Sequence, residues 1–267
     1  MPRTILLDGD ITAYVIATTS EVATHWGDDW WTLHADAAEA KDKLDAYISE
    51  LMDELHGDVL IVSLSDSANF RKSVYADYKR NRAKTRKPMI LPALRDHLRE
   101  NYTVVERPGL EGDDVLGILA TAPAALGKVG GRGETVIVSI DKDMKMIPGK
   151  LLNLNKAREA KFQGEIDEID EAIVTITPTQ ADWWHLFQTL TGDATDGYPG
   201  CPGVGPKKAS IALDPEIEGP YWPRIVRLYQ SKQQTETDAI VQARCARILR
   251  ATDYDFKRKE PILWSPK

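Results

Sequence analysis

Apolar residues along the chain fall into short unbroken runs, and three of these end on an acid. Thr4-Ile5-Leu6-Leu7 leads into Asp8-Gly9-Asp10, Val59-Leu60-Ile61-Val62-Ser63-Leu64-Ser65 into Asp66, and Thr135-Val136-Ile137-Val138-Ser139-Ile140 into Asp141-Lys142-Asp143. Runs this short, with no polar alternation, predict strands buried on both faces. Between the first two, Leu44, Tyr47, Ile48, Leu51 and Leu55 recur three or four apart, which predicts a helix with Asp36 as N-cap and Gly57 as stop. Strand and helix in alternation predict βαβ units and a parallel sheet. The carboxyl ends of such strands line one crevice where ligands bind, so Asp8, Asp66 and Asp141 are expected to meet there.

A fourth strand-like element, Thr103-Val104-Val105, passes through Pro108-Gly109 into Glu111-Gly112-Asp113-Asp114 and then the apolar Val115-Leu116-Gly117-Ile118-Leu119-Ala120. These acids stand where a helix begins. The helix dipole favours acids at such a position, so each one alone says little. Their information lies in shared placement at strand ends and helix starts. Asp10 is open to two readings, a ligand beside Asp8 or the cap of a helix beginning at Ile11; we expect Asp8 alone to face the crevice. Trp26, Trp30 and Trp31 flank Gly27-Asp28-Asp29 and suit a hairpin packed on the sheet.

Near Thr177-Pro178 the strand-like runs give way to helical ones, at Ala181 to Leu190, Lys207 to Leu213, Tyr221 to Gln230 and Ala239 to Leu249. The expected organisation is an α/β core over residues 1–177 and a helical domain over 178–267. Trp183 and Trp184 fall in the first of these helices, where packing is the expected role.

Composition leaves the crevice as the source of chemistry. The two cysteines, Cys201 and Cys245, and the five histidines show no zinc spacing, and no apolar run approaches a membrane span. Without a secretory pattern, the expected location is the reduced cytoplasm. The net charge of −7 does not exclude a nucleic-acid partner, because binding depends on local charge. From Arg71 to Arg99 ten bases (Arg71, Lys72, Lys79, Arg80, Arg82, Lys84, Arg86, Lys87, Arg95, Arg99) face only Asp77 and Asp96. Phe70, Tyr75 and Tyr78 interleave with them, as expected where bases stack and phosphates are neutralised, although a solvated loop has a similar composition. Pro88 and Pro92 interrupt any single long helix there.

The most informative stretch runs from Thr191 to Ala209. It joins Asp193 and Asp196 to the turn Pro199-Gly200-Cys201-Pro202-Gly203-Val204-Gly205-Pro206 and the bases Lys207 and Lys208. Glycines admit a phosphodiester close to backbone amides, and a helix N-terminus attracts it. Grouped carboxylates repel one another unless a cation compensates. An all-oxygen donor set points to Mg²⁺ or Mn²⁺ rather than zinc. Cation beside gripped phosphate suggests a nuclease.

Taken together, Gly109-Leu110-Glu111-Gly112-Asp113-Asp114-Val115-Leu116-Gly117, Asp141-Lys142-Asp143-Met144 and the Gly192-Asp193 to Lys207-Lys208-Ala209 stretch resemble the bacterial and bacteriophage 5′-nucleases: flap endonucleases, 5′–3′ exonucleases and the 5′-nuclease domains of DNA polymerase I. Phe70-Arg71, Tyr78-Lys79 with Arg82, and Lys87-Pro88-Met89 resemble the segment leading into that family's helical arch. The resemblance covers nearly the whole chain, in matching order. It implies a mostly parallel α/β sheet of PIN-like type, an arch over about residues 71–101, and a C-terminal helix-hairpin-helix motif. It also implies two metal ions per site, the first held by Asp8, Asp66, Glu111 and Asp113 with Asp114 at hand, the second by Asp141, Asp143, Asp193 and Asp196. Lys79 and Arg82 would face the scissile phosphate, while Arg71, Lys72, Tyr78, Arg86, Gly203, Gly205, Lys207 and Lys208 would contact DNA. K⁺ at Gly203-Val204-Gly205 is implied as well. Three positions depart from the pattern: Gly197-Tyr198 stands where relatives often have Asn-Ile, Gly112 where many have Ala, and Asp10 where many have Asn.

The expected activity is therefore two-metal hydrolysis of DNA phosphodiesters at 5′ ends (flap, nicked or gapped duplex, with RNA–DNA hybrids as a further substrate) by a monomer. Products would carry a 5′-phosphate. A metal-dependent PIN-type ribonuclease and a catalytically silent nucleic-acid-binding module are the alternatives. The helical tail argues against the first and the full set of acids against the second.

Overall fold

The computed structural model describes residues 1–266. From the N-terminus, β1 (Arg3–Asp8) leads directly into α1 (Gly9–Thr19), followed by a ribbon of β2 (Val22–Gly27) and β3 (Trp30–His34), then α2 (Ala37–Glu54) and β4 (Val59–Ser63). The basic segment holds α3 (Arg71–Val74), a 3-10 turn at Arg80–Lys84, and α4 (Leu91–Asn101). After β5 (Val104–Val105) come α5 (Gly112–Thr121), α6 (Pro123–Lys128), β6 (Glu134–Val138), β7 (Gly149–Leu152), α7 (Leu154–Gln163) and β8 (Val174–Ile176). The C-terminal part contains α8 (Pro178–Thr191), α9 (Pro206–Ala212), α10 (Tyr221–Gln230), α11 (Glu236–Ala246) and the small pair β9 (Tyr254–Asp255) and β10 (Glu260–Pro261).

Six strands form one sheet in the order β5-β4-β1-β6-β7-β8. Its neighbours are parallel except for the antiparallel edge pair β7–β8. Period-two alternation divides the side chains of β1 between two faces. Ile5 and Leu7 join the core under α1, α2, α4 and α7, whereas Leu6 packs with Ile61 and Ile137 under α5 and α6. Both faces are covered, which is why these strands read as continuous apolar runs.

The helical C-terminal segments are bonded to the sheet. Ile248, Leu249 and Tyr254 return to the α5 side of the core, and Leu249 N donates to the Asp114 carboxylate at 3.0 Å. Gly117 permits that approach, since a β-carbon there would stand 2.3 Å from the Leu249 carbonyl oxygen. Among the described residues no helix is long and apolar enough to cross a membrane.

The ribbon departs from expectation. Among the described residues β2 and β3 pair only with each other, and Trp26, Trp30 and Trp31 lie in solvent rather than on the sheet. The basic segment is also no continuous arch of helix. Pro92 sits in the first turn of α4, and the stretch before it is strapped across the crevice by side-chain bonds.

Candidate metal centre

Parallel pairing of β1 with β6 places Asp8, the last residue of β1, beside the exit of β6. Asp8 caps α1, accepting from the Ile11 amide at 3.1 Å, and its other oxygen accepts from the Ser139 hydroxyl at 2.8 Å. Ser139 Oγ in turn accepts from the Asp141 amide at 3.1 Å, which fixes the next turn against the first strand. Burial, with Asp10 and Asp141 adding repulsion, pushes the Asp8 carboxyl up to about 6.

From the start of α5 come Glu111 and Asp113. Asp113 is pushed well above the usual carboxylate range, first by burial and then by the charges of Asp8, Glu111 and Asp141. No hydrogen bond from a described residue relieves it. Burial would push Glu111 up too, but Arg71 and Lys79 outweigh it and hold this carboxyl at about 2. Asp8, Glu111, Asp113 and Asp141 therefore feel one another.

The second group lies between the β6 exit and α8. Burial and the neighbouring Asp141 raise Asp143 to about 6. Asp193 is held below its ordinary value because Lys142, 3.3 Å away, and the amides of Asp196 and Thr195 together exceed its burial penalty. The amide of Gln188 spans the two, donating to Asp143 at 2.9 Å and Asp193 at 3.1 Å. Its Oε1 is buried without a partner among the described residues. Exchanging amide N and O would set oxygen against two carboxylates, so this orientation is determined.

Asp196 connects the groups to the basic segment. Lys79 pairs with Glu111 and lies 3.5 Å from Asp196, and Arg82 reaches Asp196 at 2.6 Å and the Thr195 carbonyl at 3.0 Å. Lys79 has φ 56, a left-handed backbone uncommon outside glycine, and its amide donates to the Asp196 carbonyl at 2.7 Å. Strain of this kind is held only where surrounding structure enforces it, and it collects at functional sites.

Four expected site residues have other duties. Asp66 accepts from Gly109 N and Ser67 N, both at 2.7 Å, and braces the loop after β4 instead of facing the cluster. Asp114 is fully buried and binds Arg71 through both oxygens at 2.7 Å. Arg71, 2% exposed, also donates to the Cys245 and Arg247 carbonyls, so it welds α3 to the C-terminal chain and is closed off from the surface where the expected DNA contact would lie. Tyr78 is buried, its hydroxyl lying between Glu111 and Asp196 at 2.9 and 2.7 Å, which removes its ring from base stacking. Asp10 is neither the cap of α1 nor free, since it accepts from Ser65 N at 2.7 Å and lies 3.5 Å from Arg95.

The remaining expected DNA contacts are exposed. Lys72 and Lys207 lie at the surface, Arg86 is paired with Glu21, and Lys208 Nζ donates to the Gly203 carbonyl at 2.9 Å. Gly203 has φ +69, whereas Gly205 has φ −92, and a β-carbon on either would meet open space. Neither backbone geometry nor internal packing therefore calls for glycine at 205. Gln188, Lys142 and Ser139 are site residues that sequence reasoning missed. The signal for Gln188 is faint, one amide within the run Leu186-Phe187-Gln188-Thr189-Leu190.

As the side chains stand, no three such groups among the described residues are arranged to hold an ion. The donor chemistry nevertheless fits a divalent cation: the charge of Lys79 only partly offsets the burial and repulsion at Asp113, and Asp8, Glu111, Asp141, Asp143 and Asp193 offer hard oxygens with no nitrogen or sulfur ligand among them.

A mostly parallel sheet with acids converging at the carboxyl ends of its central strands, and a basic strap over them, defines a phosphodiester-cleaving class of architecture. Residues 33–174 match the family described as the 5′-3′ exonuclease, N-terminal resolvase-like domain. The chain is 32% identical to the exodeoxyribonuclease of Enterobacteria phage T3 over 98% of its own length and 93% of that protein. It is 34% identical to flap endonuclease Xni of Shewanella woodyi over 58% of each chain. Among solved structures, T5 5′-exonuclease with bound divalent metal ions (zinc) superposes at TM-score 0.56, with 14% identity, covering 91% of this chain and 93% of that one. The chain belongs to the 5′–3′ exonuclease family and is a nuclease.

Proposed function

We propose that the crevice hydrolyses DNA phosphodiesters at 5′ ends with two divalent cations, Mg²⁺ or Mn²⁺. The carrying observation is Asp113, a buried carboxylate among Asp8, Glu111 and Asp141 whose repulsion the nearby charge of Lys79 only partly offsets. Asp8, Glu111, Asp113 and Asp141 would hold one cation, and Asp141, Asp143, Asp193 and Asp196 the other. Such ions supply an activated water at neutral pH and stabilise charge on the phosphate.

The protein's own groups then orient and shield. Lys79 and Arg82 neutralise Glu111 and Asp196 here, and both turn to the non-bridging oxygens of the substrate when cations compensate those carboxylates. Gln188 keeps Asp143 and Asp193 in register. Lys72, Arg86, Lys207 and Lys208 contribute backbone contacts, which position DNA without reading sequence.

The hairpin at Gly203-Val204-Gly205 grips duplex, because an otherwise unneeded glycine at 205 leaves room for a phosphate against the backbone. K⁺ at this hairpin would have to displace Lys208 from the Gly203 carbonyl. We assign residues 1–177 to the nuclease core and 178–267 to duplex grip, with Gln188, Asp193 and Asp196 of the second segment completing the cation site, in a monomer, with flap, nicked and gapped DNA as substrates and RNA–DNA hybrids as a further one. Cleavage of 5′- and 3′-labelled flap, nicked and blunt duplexes with Mg²⁺ tests this. Short products carrying the 5′ label are expected; release from 3′ ends would contradict it.

A further inference from the structure

Among the described residues no sheet or helix covers the side chains of the β2–β3 ribbon. Every strand residue except Gly27 is exposed, with Trp26, Trp30 and Trp31 at 70%, 73% and 59%. A two-stranded hairpin is marginal on its own in water, and clustered exposed aromatics mark a surface that something covers.

Strand register separates the two faces. His25 pairs with Trp31 and Ala23 with Leu33, so these four share a face, and the His25 and Trp31 rings are already stacked at 4.4 Å and 28°. Trp26 is engaged elsewhere, its Nε1 donating to Thr32 Oγ1 at 2.8 Å.

The ribbon root is fastened to the basic segment. Glu21, the residue before β2, accepts from the Arg86 guanidinium at 3.0 and 2.5 Å and from the Met89 amide at 2.5 Å. Lys79, Arg82, Lys84 and Arg86 thus lead from the carboxylate cluster to the ribbon. The 11 residues of α1 separate Asp8 from that root, about 16 Å along the helix axis. About five stacked nucleotides span that distance at ~3.4 Å each. The two acids of the ribbon turn, Asp28 and Asp29, lie at the end away from Arg86.

We propose that the Trp31–His25 face of the ribbon is a stacking platform for single-stranded DNA, binding the unpaired 5′ strand where it emerges past the basic segment. This rests on the nuclease reading above. Bases stack on aromatic faces without sequence preference, and a row of cations beside them neutralises the backbone. Continuity with Arg86 favours this occupant over a second copy of the chain or a protein partner.

The test is fluorescence anisotropy in EDTA with two labelled probes, a duplex bearing a 5′ oligo(dT) flap and the same nicked duplex without a flap. Trp31→Ala should weaken flap binding roughly tenfold, in the range for losing one base–aromatic stack, and Trp31→Phe should restore most of it. Affinity for the flapless nick and the thermal midpoint should not change. Equal flap affinity in Trp31→Ala would overturn the proposal, as would equal weakening on both probes. So would a wild-type dimer, seen by sedimentation, that Trp31→Ala dissolves. Because binding is read without cations, a protein that grips the flap through Trp31 yet cleaves nothing would refute the nuclease reading and keep the platform. Normal 5′ cleavage with unchanged flap affinity in Trp31→Ala would do the reverse.

Discussion

Replacing Arg71 with Met separates a buried structural cation from a DNA contact. The guanidinium makes two 2.7 Å bonds to Asp114, a 3.0 Å bond to the Cys245 carbonyl and a further bond to the Arg247 carbonyl. Asp114 is 0% exposed, so the substitution leaves a carboxylate with only the amides of Glu111 and Leu249 as donors. Removing one partner of a buried ion pair costs about 3–5 kcal/mol. Two orphaned carbonyls add about 1 kcal/mol each where water cannot replace the donor. At roughly 2–4 °C per kcal/mol for a chain of this size, the thermal midpoint should fall by about 10–30 °C. Circular dichroism or calorimetry reads this directly, and anisotropy on nicked duplex at a temperature where the variant is folded reads DNA binding. Arg71→Met with a wild-type midpoint and weakened duplex affinity would refute the reasoning and return Arg71 to the DNA surface.

Three further outcomes follow from the site. Asp8 and Asp143 have carboxyls raised to about 6 from 3.8, so the stability they contribute is full below the unfolded value and is lost as pH rises through 6. Glu111, lowered to about 2, contributes fully across that window, and His185, lowered from 6.5 to about 3 by burial, gains stability through it but is outweighed by Asp8 and Asp143 together with Asp113, so the midpoint of the metal-free protein should fall between pH 4.5 and 7; a flat or rising profile in EDTA would contradict this. Gln188→Met keeps the volume but loses the bridge between Asp143 and Asp193, so the Mg²⁺ concentration for half-maximal cleavage should rise about tenfold, equivalent to about one hydrogen bond, while the affinity for DNA measured in EDTA stays constant. Gly205→Val should leave the thermal midpoint unchanged, as its φ is −92 and its surroundings are open, yet weaken nicked-duplex binding; unaltered affinity would remove the hairpin from the interface.

Much of this architecture was legible in the chain because the signals were local. Unbroken apolar runs marked β1, β4 and β6, and Asp36 capped α2 as its position before the periodic leucines predicts. The placement of Asp8, Asp113, Asp141 and Asp143 at strand exits and helix starts was legible for the same reason, and that of Asp193 from the glycine-rich turn that follows α8. What failed were choices among chemically identical residues. Asp66 ends an apolar run as Asp8 does, but Gly109 and Ser67 amides claim its oxygens. Asp114 adjoins Asp113 on α5, where one step along a helix turns a side chain by about 100°, here from the crevice into the core. Arg71 looked like part of a basic surface because its partners lie 43 and 174 residues away. The ribbon was misplaced because tryptophans predict burial, and only tertiary structure shows that these pair within the ribbon and lie off the sheet.

The central claim is that the carboxylates around Asp113 hold the cations that cleave DNA at 5′ ends. Its most direct test is the single-turnover rate on a 5′-labelled flap across a Mg²⁺ titration, comparing wild type with Asp113→Asn. The amide keeps the size of the side chain and removes the charge that repels Asp8, Glu111 and Asp141. Wild type should release short 5′-labelled products, and Asp113→Asn should lose most of this cleavage at every Mg²⁺ concentration while binding the flap as tightly in EDTA. A wild-type rate in Asp113→Asn would contradict the account.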